Sequence, residues 1–204
     1  MPLRSLLLTL VALVTMGAAA PVPVHSLATP LPLDLRASRI EWTVSKVGKD
    51  YRGLVSLADA RLDVSDSTLA GYLLFDINAA TCTNATGPEL DEVMEVMHER
   101  LFDTARHPRG HLLIQDARPV GHADAEGVLT FEVTGDLRVR GQSQRVTFPV
   151  RVRPHAQPGA VVGEATLTIE RARWGLHYGT SLVDRMKDQA IADTITFHAV
   201  FVAG

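Results

Sequence analysis

Apolar residues recur at every second position in one segment after another of this chain, the mark of strands with one buried face, and this alternation constrains the fold more than any other feature. Trp42 and Val44 alternate with Thr43 and Ser45. Leu73, Phe75 and Ile77 share one parity, and Leu112 and Ile114 follow after His107-Pro108. The longest run sets Leu129, Phe131, Val133, Leu137 and Val139 on one side, with Gly135 among them, where the missing side chain permits a sharp bend or close packing. Val146, Phe148, Val150 and Val152 resume the pattern after Gly141-Gln142-Ser143-Gln144, a polar connection that reads as a hairpin turn. Strands around Leu167 and Ile169, and around Ile195, Phe197, Ala199 and Phe201, end the chain. About eight strands separated by turn signals predict an all-β, eight-stranded antiparallel barrel, a size that can hold one small ligand.

One segment departs from the pattern. Leu90, Val93, Met94, Met97 and Leu101 fall at helical spacing behind Gly87-Pro88, with Glu89, Asp91 and Glu92 in the first turn and His98 and Arg100 near the end, where they suit the helix dipole. The spacing predicts a short amphipathic helix of about 13 residues inserted between strands and able to lie over a barrel mouth.

The first 28 residues have the layout of a secretory signal: Arg4, an apolar run from Leu6 to Val14, then small residues. The run is shorter than the roughly 20 residues needed to cross a bilayer. Ser26-Leu27-Ala28 offers small residues at the positions a signal peptidase requires, so cleavage is expected after Ala28, with the mature protein periplasmic or secreted. A Pro-containing lead over 29–38 then precedes a single barrel domain over 39–204. Losing residues 1–28 removes Arg4 and no acidic residue, so 20 basic against 23 acidic residues becomes 19 against 23, a net charge of −4. Such a chain has no global reason to bind nucleic acid. The single cysteine, Cys82, allows no intrachain disulfide, so stability must come from a hydrophobic core.

Catalytic signatures are missing: there is no HExxH, GxSxG, glycine-rich phosphate loop or CxxC pair, and Gly141-Gln142-Ser143-Gln144-Arg145 follows a nucleophile elbow only to its fourth residue. His98, His107 and His111 are the best metal candidates by proximity, but their spacing fits no established ligand pattern. No catalytic residue, metal site or covalent cofactor is therefore expected. Arg138, Arg140, Arg151 and Arg153 alternate with apolar residues, with Arg145 near the turn, and so form an outward stripe. Such a stripe either keeps the surface solvated or meets anionic headgroups or a partner protein. Arg171-Ala172-Arg173-Trp174-Gly175-Leu176-His177-Tyr178-Gly179 packs two aromatics between glycines after a strand, an arrangement that can gate a pocket or plug one end of a core.

From Ile40 to the C-terminus the chain resembles the YceI-like family of bacterial lipocalin-like, polyisoprenoid-binding proteins. The resemblance rests on Ile40-Glu41-Trp42-Thr43-Val44 leading to Lys46-Val47-Gly48 and Gly53, and on His98-Glu99-Arg100-Leu101-Phe102-Asp103 leading to His107-Pro108 and His111-Leu112-Leu113-Ile114. It rests further on Gly135-Asp136-Leu137-Arg138-Val139-Arg140-Gly141 followed by Val146-Thr147-Phe148-Pro149-Val150, on Arg171-Ala172-Arg173-Trp174-Gly175, and on Tyr178-Gly179 with Ala190-Ile191-Ala192-Asp193. Asp50 and the stretch from Pro88 to Met97 depart from the family pattern, so the resemblance by itself carries no headgroup contact over to that loop.

The resemblance implies a lipocalin-like barrel that encloses an isoprenoid tail or isoprenoid quinone, often as a homodimer, in the periplasm or outside the cell, without catalysis. The lining expected from the inward parity is Trp42, Val44, Phe75, Ile77, Leu112, Ile114, Phe131, Leu137, Phe148 and Phe197, with Trp174 near one end. The same alternation would arise in a barrel filled by its own side chains. Two other readings stay open: a non-catalytic partner of a membrane redox protein, docking through the arginine stripe, and a small periplasmic hydrolase or metal-binding enzyme using His98, His107 or His111.

Overall fold

The computed structural model describes residues 31–65, 67–178 and 191–204. The proposed signal sequence and residues 179–190 lie outside the described residues. The strands are β1 (Leu31–Pro32), β2 (Arg39–Lys46), β3 (Lys49–Val64), β4 (Leu69–Cys82), β5 (Arg109–Pro119), β6 (Leu129–Val139), β7 (Gln142–Pro154), β8 (Val161–Glu170) and β9 (Thr194–Ala203). They form one antiparallel sheet in the order β1-β3-β2-β9-β8-β7-β6-β5-β4, and pairing of β3 with β4 closes β2 to β9 into an eight-stranded, lipocalin-like barrel. Closure removes the open edges that a sheet of this width would otherwise expose.

β3 has no counterpart among the strands read from alternation, because two register shifts, between Leu54 and Ser56 and between Leu57 and Asp59, break its parity. It spans two environments. Its first half pairs with β2, from Lys46 opposite Lys49 to Ile40 opposite Val55. Its second half pairs with β4, and Leu31 and Pro32 of the lead take up Leu62 and Arg61 on the side that β2 has left. The lead is thus part of the sheet, tied also to β9 through a bridge from Leu33 to Ala203.

Because every pairing is antiparallel, connections alternate between the two ends of the barrel. The upper end carries the β2–β3 and β6–β7 turns, the helical segment between β4 and β5, and the β8–β9 connection. That helical segment is α1 (Gly87–Glu95) running into a π-helical turn, Val96–Leu101, which buries Met97 and Leu101. The β6–β7 turn is tighter than the sequence reading: Arg140 and Gly141 both have positive φ, 48° and 74°, as a two-residue type I′ hairpin requires. Gln142, Ser143 and Gln144 accordingly belong to the ladder, opposite Val139, Arg138 and Leu137.

The long inward run of β6 is buried as its parity requires, with Phe131 and Val133 fully shielded and Leu137 and Val139 nearly so. Gly135 serves close packing, since a Cβ there would lie 2.8 Å from the Leu113 carbonyl oxygen and 2.9 Å from a Leu112 methyl. The arginine stripe does face outward. Arg145 pairs with Asp136 at 3.1 Å, Arg153 reaches Glu164 at 3.9 Å, and Arg140 donates to the Gly175 carbonyl, so part of its charge is already met within the chain.

Candidate ligand cavity

The barrel encloses a cavity of about 200 Å³, counted as the space open to the centre of a water molecule. On that measure one water needs only roughly 10–15 Å³, so the lumen is no packing defect. It runs from Lys46 and Tyr51 at the upper end down to Ile40, Leu62, Leu69 and Phe201. Along β2 alone, from Lys46 to Ile40, the strand rise gives a depth of roughly 20 Å. An elongated occupant suits that shape better than a compact one.

Three wall aromatics explain why the lumen stays open. Trp42 stands opposite Gly53, Phe75 opposite Gly110 and Phe201 opposite Gly163 in their cross-strand pairs. A Cβ on Gly53 would lie 2.6 Å from the Trp42 ring, on Gly110 3.3 Å from the Phe75 ring, and on Gly163 1.8 Å from the Phe201 ring. Each ring therefore rests along the wall over its glycine, the arrangement by which aromatic side chains cover glycine in a sheet. The Trp42 indole N–H also donates to the Thr81 carbonyl at 3.1 Å, leaving no unsatisfied donor beside the lumen. Ala165 and Ala199, opposite each other on β8 and β9, add a wall patch of small side chains.

Of the residues expected at the lining, Trp42, Val44, Phe75, Ile77, Leu112, Ile114, Leu137, Phe148 and Phe197 all border the cavity. Phe131 and Trp174 do not. Phe131 lies in the lower half of the barrel, wholly shielded, packed behind the lining although its cross-strand partner Val150 borders the cavity. Trp174, 1% exposed, belongs to the 3-10 turn Arg171–Trp174, and its indole N–H donates to the Leu137 carbonyl at 3.0 Å, so it plugs the upper end rather than lining it. Tyr178 is the aromatic of that segment that does reach the cavity. The helix contributes Val93, Val96, Met97 and Leu101 as a roof. Sequence reasoning missed Tyr51, Val55 and Leu62 because they lie on bulged β3.

Polar groups gather at the upper end of the cavity. Glu89 accepts hydrogen bonds from the Lys49 ammonium at 2.6 Å and the Tyr51 hydroxyl at 2.9 Å, tying α1 to the β2–β3 hairpin. These donors hold the Glu89 carboxyl below its ordinary value. Burial, reinforced by the Glu89 carboxylate, pushes the Tyr51 phenol up to about 12, so it stays protonated at physiological pH. At the same end the fully buried Arg171 donates to the carbonyls of Ala192 (2.6 Å), Leu176 (2.9 Å), Tyr178 (3.0 Å) and Ile191 (2.9 Å). One guanidinium thus fixes Tyr178 and Ile191, both at the cavity rim. Desolvation lowers its pKa, and Asp193 opposes that shift.

The three candidate histidines stand apart. His98 faces the Ala80 carbonyl from the π-helical turn, His107 lies beside Gly141, and His111 is on the outward parity of β5. Among the described residues no three His, Cys, Asp or Glu side chains gather closely enough to hold a metal ion.

The model of the YceI-like domain matches residues 32–203. The chain belongs to the YceI-like family. Solved structures agree on the fold. BcnA from Burkholderia cenocepacia is 19% identical with a TM-score of 0.64, over 84% of this YceI-like chain and 99% of that one. A polyisoprenoid binding domain from Saccharophagus degradans implicated in plant cell wall breakdown is 17% identical with a TM-score of 0.61, over 84% and 95%. The YceI protein of Campylobacter jejuni is 15% identical with a TM-score of 0.53, over 74% and 84%. A comparison with curated protein sequences finds no match.

Proposed function

We propose that this YceI-like protein binds and carries or stores a long apolar molecule, a polyisoprenoid or an isoprenoid quinone, in the periplasm or outside the cell, and catalyses no reaction. The observation that carries the reading is the elongated lumen, lined almost wholly by carbon, with its few polar lining groups at one end. Burying a methylene is worth roughly 0.8 kcal/mol, so each five-carbon isoprene unit contributes about 3–4 kcal/mol before ordering costs, and a few units suffice for tight binding. The fold relative described as a polyisoprenoid binding domain supports the same class of ligand. Export rests on the signal-like residues 1–28. Loading from a membrane surface, and pairing as a homodimer, are compatible partners of this role.

The test is organic extraction of the purified mature protein followed by mass spectrometry. A stoichiometric isoprenoid or quinone is expected. An empty extract from a protein that also fails to take up added isoprenoids overturns the proposal.

A further inference from the structure

Among the described residues, two pieces outside the strands cover the upper end of the cavity: α1 with the π-helical turn that follows it, and the 3-10 turn Arg171–Trp174. They are held very differently. In the 3-10 turn Arg171 and Trp174 are buried and donate to main-chain carbonyls. No residue of α1 is fully buried, and Leu90, Val93 and Met94 rest half-buried against the core. An element with so little buried surface opens more cheaply than the structure around it.

Both flanks of α1 are nevertheless pinned. Before it, the Thr83 N–H donates to the Arg52 carbonyl at 2.8 Å, and the Asn84 side chain accepts from the Arg52 N–H at 2.9 Å and donates to the Asp50 carbonyl at 2.8 Å. After it, Met97 and Leu101 are buried, and the Thr104 N–H donates to the His98 carbonyl at 2.8 Å. Between these anchors lie two places where the helix can turn as a body. Gly87 has a φ of 56° with open space where a Cβ would stand, and the π-helical turn from Val96 interrupts the regular ladder at the other end.

A polar tie crosses from α1 to the barrel at Glu89, which accepts from Lys49 and Tyr51 on β3. The Glu89 and Lys49 side chains are 43% and 39% exposed, so water replaces each partner when the pair separates, and the tie is cheap to break. Glu92 and Val93 of α1 border the lumen, whereas Glu89 and Lys49 do not.

We propose, resting on the carrier reading above, that α1 is a lid, hinged at Gly87 and at the π-helical turn and latched by Glu89 to the β2–β3 hairpin, and that it lifts to admit and release the apolar ligand. The latch lies outside the lining, so it opposes opening equally in the empty and the loaded protein. It therefore sets the rate of exchange and leaves affinity nearly unchanged.

The experiment follows N-phenyl-1-naphthylamine, a fluorescent apolar probe, as excess geranylgeraniol chases it from the delipidated protein under stopped flow. In a Cys82→Ala background carrying Lys49→Cys and Glu89→Cys, a short bis-methanethiosulfonate bridges the two thiols and dithiothreitol removes the bridge, so locked and unlocked lids are compared in the same molecules. Locking should slow release by about tenfold or more, and reduction should restore it. Separately, Glu89→Ala should speed uptake and release alike by about three- to fivefold, with Kd within about twofold of wild type. A melting curve establishes that each variant is folded. Equal release from bridged and reduced protein, or Glu89→Ala rates equal to those of wild type, overturns the lid and leaves the carrier reading intact. Failure of wild type to take up either the probe or geranylgeraniol counts against the carrier reading itself.

Discussion

Arg171 shows how much a single residue can hold. Its guanidinium is completely buried and donates to four main-chain carbonyls drawn from both ends of the β8–β9 connection. Arg171→Met removes every donor and leaves those carbonyls unmatched, so a loss of about 3–5 kcal/mol is expected in denaturant unfolding. Glu89 has a gentler role that pH can expose. Its carboxyl lies below the ordinary 4.5, so its stabilising bonds to Lys49 and Tyr51 are present above that value and are lost as pH falls through the lowered one. The Tyr51 phenol runs the other way. It is raised from 10.0 to about 12, so its contribution is full below pH 10 and is lost as pH rises toward the folded value. Glu89→Gln should bring the Tyr51 titration down toward 10, which an absorbance titration of the phenolate will show; an unmoved titration would mean that burial alone sets it.

At the scale of the strands, volume is controlled by pairing an aromatic with a glycine. Gly163 faces the Phe201 ring so closely that even a methyl group would displace it. Gly163→Ala should drive that ring toward the lumen, cost about 1–3 kcal/mol of stability, and reduce ligand capacity. Adding Phe201→Leu should return part of the stability, since the two sites touch and their effects cannot be additive. Equilibrium unfolding of the two single variants and the double variant checks this. The bulges of β3 belong to the same scale: by shifting parity twice they let one strand leave β2 and join β4, which closes the barrel.

For the whole molecule, the central question is whether the lumen is used. Ala165→Phe places a ring in the cavity from a wall position that faces another alanine, Ala199. This change should lower the amount of co-purifying lipid several-fold while leaving the melting temperature near that of the empty wild type. Conversely, an apolar ligand present at about 100 times its Kd should stabilise the wild type by roughly 2.7 kcal/mol, visible as a rise in melting temperature that Ala165→Phe lacks. Equal stabilisation of both would place the ligand outside the barrel.

The barrel was legible in the amino-acid order because strand alternation is a local signal. Residues from Trp42 to Phe201 declare their buried parity without reference to partners, and the helix over the mouth announces itself by its own spacing. Arg140-Gly141 and β3 were less legible, since a turn with positive φ at a non-glycine residue and a strand with two bulges both break the local rule. Inward parity could not separate Leu137, which borders open space, from Phe131, which borders only other side chains. That distinction depends on what stands across the barrel, on rings laid over glycines of neighbouring strands, and on the plug made by Trp174. The polar end of the cavity is likewise a tertiary product: antiparallel closure brings the β2–β3 hairpin, which carries Lys46 and Tyr51, to the same end as Glu92 and Tyr178, a proximity that no spacing along the chain encodes.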